Sequence, residues 1–125
     1  MKTIKSDRVL MVDCDDTLVL WDISKYNLTQ LDYVTVNVWQ PTTLIKHQKN
    51  INLLTKFHKL GYTIIVWSQS GWEWAEAVGK AVGIDELVTS YMSKPRYYLD
   101  DLDCQTWMGS RIWRDPVEKE EHGNA

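Results

Sequence analysis

The 125-residue sequence predicts an α/β fold built on a mostly parallel sheet. Three observations carry this prediction. Short apolar runs alternate with stretches of helical period, glycines stand where the helical stretches stop, and acids, a serine or a lysine follow the apolar runs directly. With 44% hydrophobic residues, three prolines and six glycines, the chain has room for one core and not for two domains.

Residues 8–14, Arg-Val-Leu-Met-Val-Asp-Cys, form a continuous apolar run ending in acids, the pattern of a buried strand. Leu18 to Trp21 is a second brief run. Tyr33 to Trp39 alternates, with Val34, Val36 and Val38 on one face, as in an antiparallel excursion. Pro41-Thr42-Thr43 leads into a helical pattern through Leu44, Gln48, Ile51, Leu54 and His58, closed by Gly61. Tyr62 to Trp67 is β-branched and aromatic and reads as a second buried strand. Ser70, with Glu73 three residues on, predicts a capping box for a helix from Gly71 or Trp72 to about Val82, packed through Trp74, Ala77, Val78 and Ala81. Leu87 to Thr89 predicts a third strand and Tyr97 to Leu99 a fourth, joined to the rest by right-handed crossovers. Trp107, Ile112 and Trp113 are expected to pack a last helix or loop onto the core.

The charges are unevenly spread. Residues 115–125 hold four acids against one lysine, so the whole formal charge of −3 lies in a polar tail, expected to fray, and residues 1–114 balance as one domain. That balance argues against a large electrostatic nucleic-acid binder. No window approaches a membrane span, and two isolated cysteines without metal-ligand spacing fit free thiols in a reducing cytoplasm.

In an open parallel sheet, ligands sit beyond the carboxyl ends of the strands. The predicted strand ends deliver Asp13, Asp15, Asp16 and Thr17, then Ser68, then Lys94, then Asp100 and Asp101. Carboxylates from two strand ends repel unless a hard cation stands between them, and Mg²⁺ takes oxygen ligands of this kind. A lysine and a hydroxyl beside that cation complete a phosphate pocket.

The order of these residues resembles the haloacid dehalogenase-like superfamily of phosphotransferases, whose first motif is Asp-x-Asp-x-Thr after an apolar strand; the resemblance runs over residues 8–101. It implies a three-layer Rossmann-like core and a Mg²⁺-dependent phosphomonoesterase. By similarity, Asp13 is the nucleophile that forms an aspartyl-phosphate, and Asp15 is the general acid and base. Thr17 steadies the turn and the phosphate, and Ser68 is the phosphate-binding hydroxyl of the second motif. Lys94 holds phosphate and nucleophile together; Asp13, the backbone carbonyl of Asp15 and Asp100 supply the metal shell, and Asp101 either assists or coordinates through water. Lys94 stands only six residues before Asp100, as in a small, minimally decorated branch.

Fifty residues separate Thr17 from Ser68, enough for a hairpin flap at about 18–40 and a helix but not for a cap domain. An uncapped site needs a macromolecular end or a partner subunit of a homo-oligomer to shape it. Phosphorylated small molecules, phosphoprotein side chains and polynucleotide ends are all candidate substrates. Trp21, Tyr26, Tyr33 and Trp39 offer either stacking surfaces for a base or hairpin packing. Lys46, Lys49, Lys56 and Lys59, in a stretch without acids, are a solvated face or an attraction for a nucleic-acid strand. Arg96 and Arg111 are substrate contacts or surface ion pairs. Cys14 is expected to pack as a buried thiol, and the three histidines share no metal or triad spacing. Two other functions stand beside the phosphomonoesterase: a nucleotide or polynucleotide-end phosphatase, and a silent interaction protein of the same fold, against which the intact acids and Lys94 argue.

Overall fold

The computed structural model describes residues 7–117. In chain order, strand β1 spans Val9–Val12, β2 Val19–Leu20, β3 Tyr33–Asn37, β4 Pro41–Lys46, helix α1 Gln48–Lys59, β5 Thr63–Ser68, helix α2 Trp72–Ala81 and β6 Val88–Ser93. These elements form a mixed α/β fold with two small sheets. One is parallel, in the order β1-β5-β6, and the other antiparallel, in the order β2-β4-β3.

The parallel sheet sets the site. Val9 to Val12 pair with Thr63 to Val66, and Ser68 pairs with Ser93. Because the three strands run the same way, Asp13, Ser68 and Lys94 all leave the sheet at one end. On β5, Ile64, Val66 and Ser68 are buried in alternation with half-buried Thr63, Ile65 and Trp67, the period-two pattern of a strand. Helix α1 turns Ile51 and Leu54 inward and contacts β1 and β5, while α2 buries Trp74, Ala75 and Val78 and contacts β5, β6 and β3, tying the two sheets together. Each fully buried aliphatic side chain here contributes roughly 1.5–3 kcal/mol. Gly61 and Gly83 follow the two helices at φ 90° and 83°, the left-handed conformation in which a side chain would be strained.

Several expected elements take other forms. The helix expected after Pro41 begins only at Gln48. Pro41–Lys46 is instead a strand paired with β3, with Thr43 opposite Thr35 and Leu44 opposite Val34. Pro41 opens that strand, where a missing N–H is tolerated. The helical phase moves with the boundary: Gln48 and His58 are exposed, and Asn50 takes a buried place beside Ile51. The flap is therefore a three-stranded sheet reaching Lys46, larger than a hairpin over 18–40.

Ser70 does not cap α2. Gly71 holds the cap position, and the Trp72 N–H donates to Ser93 Oγ at 3.0 Å. The third strand extends to Ser93 through its ladder with β5, whereas Tyr97–Leu99 forms no strand and Leu99 is fully exposed. A β-prone segment needs a neighbouring strand to satisfy its backbone, and among the described residues β1 pairs with β5 alone. No described helix is long and apolar enough to cross a membrane. The polar tail beyond residue 117 lies outside the described residues.

Candidate functional site

The chain leaves β1 through a tight loop. The Cys14 carbonyl accepts the N–H groups of Thr17 at 3.1 Å, Leu18 at 2.8 Å and Val19 at 3.2 Å, and the Asp16 N–H donates to the Val19 carbonyl at 2.6 Å. Asp16 sits at φ 60°, a conformation that Asp tolerates better than most residues. This folding puts Asp13, Asp15, Asp16 and Thr17 on one cavity of about 520 Å³, while Cys14 between them is fully buried with Sγ toward the Trp67 carbonyl. Burial, reinforced by Asp13 and Asp15, pushes the Cys14 thiol far above its ordinary range, so it packs as a neutral thiol.

Lys94 lines the same cavity. Its N–H donates to the Ser68 carbonyl at 2.8 Å, its ammonium lies 3.4 Å from Asp13 Oδ1, and it stands over the Trp67 ring at 5.8 Å. Thr17 Oγ1 donates to Asp13 Oδ2 at 3.4 Å. Both contacts with Asp13 are longer than tight charge-assisted bonds, so its carboxylate keeps acceptor capacity.

The remaining expected residues are placed differently. Ser68 is fully buried, outside the cavity lining, and its Oγ accepts the Ser70 N–H at 3.0 Å. Its carbonyl contributes by anchoring Lys94. Asp100 and Asp101 are exposed and do not line the cavity, and Asp100 Oδ1 accepts the Leu102 N–H at 3.0 Å in a local turn. The cause is the absent fourth strand, which was to carry both acids to the site. Among the described residues, no three His, Cys, Asp or Glu side chains are grouped so as to hold a metal ion. The acids that share the cavity are Asp13, Asp15 and Asp16.

Other residues complete the site. Residues 110–113 also form part of its wall, and Arg111 lies over the Trp113 ring at 5.4 Å. The Trp113 indole N–H donates to the Asp16 carbonyl at 2.9 Å. Asn50, buried on α1, donates through Nδ2 to the Thr17 carbonyl at 2.9 Å and accepts the Arg114 N–H at 2.9 Å, linking the acidic loop to this wall. His47 Nδ1 accepts the Asn50 N–H, so Nε2 carries the proton and donates to the Arg114 carbonyl at 2.8 Å. Burial holds His47 below its usual titration range, against the opposing pull of the Arg114 carbonyl. Periodicity gives no sign of these bonds; the one visible hint is an asparagine beside an apolar helix stripe.

Two indoles reach Asp15. Trp21 Nε1 donates to its Oδ1 at 2.8 Å and Trp74 Nε1 to the same oxygen at 3.1 Å. No protein-family model, curated protein or solved structure matches the chain. The site joins carboxylates, an ammonium and a hydroxyl at one end of a cavity whose flank includes Leu10, Met11 and Leu53. Such a set can bind an anion through Lys94, present a carboxylate to it, and exchange a proton through a second carboxylate.

Proposed function

We propose that this chain is a phosphomonoester hydrolase of the haloacid dehalogenase-like kind, with Mg²⁺ as its cofactor. The observation that carries the reading is the meeting of Asp13, Asp15 and Lys94 on one cavity, with the Lys94 ammonium 3.4 Å from Asp13. Further support comes from the three-stranded parallel sheet, beyond whose strand ends Asp13 and Lys94 stand.

Asp13 attacks phosphorus, and the P–O bond to the leaving group breaks with its electron pair passing to the leaving oxygen. Asp15 gives that oxygen a proton. Water then attacks the aspartyl-phosphate, Asp15 takes the proton of the water, and the bond to Asp13 breaks to release phosphate and restore the carboxylate. Two easier displacements replace one difficult one. Lys94 removes the repulsion between carboxylate and phosphate and stabilises charge that develops during transfer.

The donor set fits Mg²⁺, which commonly takes one or two carboxylates and completes its shell with phosphate oxygens and water. Asp13 would hold it through its carboxylate and Asp15 through its backbone carbonyl, which leaves the Asp15 carboxyl for the proton. The bound ion supplies further charge neutralisation at the phosphoryl oxygens. Asp100 and Asp101, exposed and outside the cavity lining, are not among these ligands.

The test is phosphate release from a panel of nucleotides, sugar phosphates, phosphopeptides and end-phosphorylated oligonucleotides, with and without Mg²⁺. Turnover that requires Mg²⁺ and disappears in Asp13→Asn is expected. If no ester is hydrolysed above the Asp13→Asn background, the reading is wrong.

A further inference from the structure

Asp15 is held by two donors that its proposed role does not by itself require. Trp21 and Trp74 both give their indole N–H to Asp15 Oδ1, at 2.8 and 3.1 Å, and their ring centroids lie 6.1 Å apart. The two side chains come from separate parts of the fold. Trp21 follows β2 in the flap sheet, and Trp74 stands near the start of α2, whose helix packs on β5 and β6. Their burial differs as well: Trp74 is 7% exposed and Trp21 52%. A tryptophan that leaves half its surface in water is poorly explained by burial alone, and its short bond to Asp15 supplies the other reason for its place.

An indole nitrogen only donates, so both bonds require an acceptor oxygen. Two donors on Oδ1 restrict rotation of the carboxylate and oppose a proton on that oxygen. They leave Oδ2 as the oxygen that carries and returns a proton. We propose that Trp21 and Trp74 are positioning residues which orient Asp15 for proton transfer to the leaving group. This inference rests on the phosphatase reading of the site. It also couples the flap to the chemistry, because one of the two donors belongs to the flap.

Trp21→Phe, Trp74→Phe and the double variant keep an aromatic ring and remove the N–H. Each is assayed on ethyl phosphate, whose alkoxide must be protonated as it leaves, and on 4-nitrophenyl phosphate, whose leaving group departs without a proton. On ethyl phosphate, kcat/KM, which reports the steps up to aspartyl-phosphate formation and not its hydrolysis by water, is expected to fall about tenfold for each single variant and roughly hundredfold for the double, within the range of general acid catalysis. On 4-nitrophenyl phosphate the fall stays below about threefold, since the proton contributes little there.

Equal losses on the two esters, or no loss on either, overturn the positioning role while leaving the phosphatase reading intact. Absence of turnover by the native chain overturns the phosphatase reading, and the positioning role with it. The hydrogen bonds themselves are read separately from activity by the indole N–H resonances. Asp15→Ala is expected to move those of Trp21 and Trp74 and leave the other five near their native positions; unmoved resonances overturn the clamp.

Discussion

Lys94 is tied to Asp13 by charge and to Ser68 by its backbone: its ammonium lies 3.4 Å from Asp13 Oδ1, and its N–H donates to the Ser68 carbonyl at 2.8 Å. The backbone bond places the lysine whatever its side chain, so Lys94→Met is expected to fold normally. The ion pair it removes is about a third exposed and therefore worth only ~0–1 kcal/mol. Under the proposed phosphomonoesterase reading, catalysis is affected much more, because an electrostatic partner of the transferring phosphoryl group is lost. Phosphate release is expected to fall by roughly 10²–10³ in kcat, while urea unfolding moves by less than ~1 kcal/mol.

His47 makes stability depend on pH. Burial keeps its folded-state titration below the ordinary 6.5, so on acidification the unfolded chain takes up a proton that the folded chain resists. The contribution is intact above about pH 6.5 and is lost as the pH falls from there toward the folded value. Lys49 adds to the depression, while the Arg114 carbonyl and Asp115 oppose it. The unfolding free energy is expected to drop between pH 7 and pH 5 with a slope of at most ~1.4 kcal/mol per unit from this group. In His47→Gln that part of the slope disappears. An unchanged slope would assign the acid sensitivity to other groups.

Asn50 joins two segments that share no secondary structure. In Asn50→Leu the Thr17 carbonyl loses its donor and the Arg114 N–H its acceptor, in surroundings where Asn50 itself is buried. Unsatisfied groups of this kind cost ~1–3 kcal/mol each, and a total loss of about 2–4 kcal/mol is expected in urea unfolding. Because Arg114 adjoins the cavity wall at Trp113, the same variant is expected to quench more readily with iodide. Native stability in Asn50→Leu would mean that water replaces both bonds without cost.

The parts of the fold legible in sequence are those set by local rules. The strand over Thr63–Ser68 shows its β-branched run, and α2 shows a period near 3.6 between its glycines. Asp13, Asp15 and Lys94 could be picked out because each stands just beyond a run that becomes a strand. Pro41–Lys46 was not legible as a strand, since Leu44 and Ile45 continue into the apolar stripe of α1, and only pairing with β3 resolves the ambiguity. Tyr97–Leu99 fails for the converse reason: its pattern suits a strand, but no neighbour pairs with it in the described structure. The bonds of Trp21, Trp74 and Asn50 depend on side-chain atoms meeting across the fold, and neither period nor spacing records such meetings.

Gly79 lies where α2 meets β6. A Cβ at this position would stand 2.6 Å from Tyr91 Cε1 and 2.8 Å from its Cζ, too close for any aromatic contact. The ring cannot swing aside freely, because the Tyr91 hydroxyl donates to Asp85 Oδ1 at 2.7 Å. Gly79→Ala therefore sets two effects against each other. Helix propensity favours alanine by ~1 kcal/mol, while overpacking a buried contact costs ~1–3 kcal/mol, so a net destabilisation of about 1 kcal/mol is expected. Replacing Tyr91 by alanine removes the ring that opposes the methyl. In the Tyr91→Ala background, Gly79→Ala should then stabilise the chain by up to ~1 kcal/mol, a reversal of sign that a double-mutant cycle in urea reads directly. Equal effects of Gly79→Ala in the two backgrounds would show that the helix and the strand do not approach this closely.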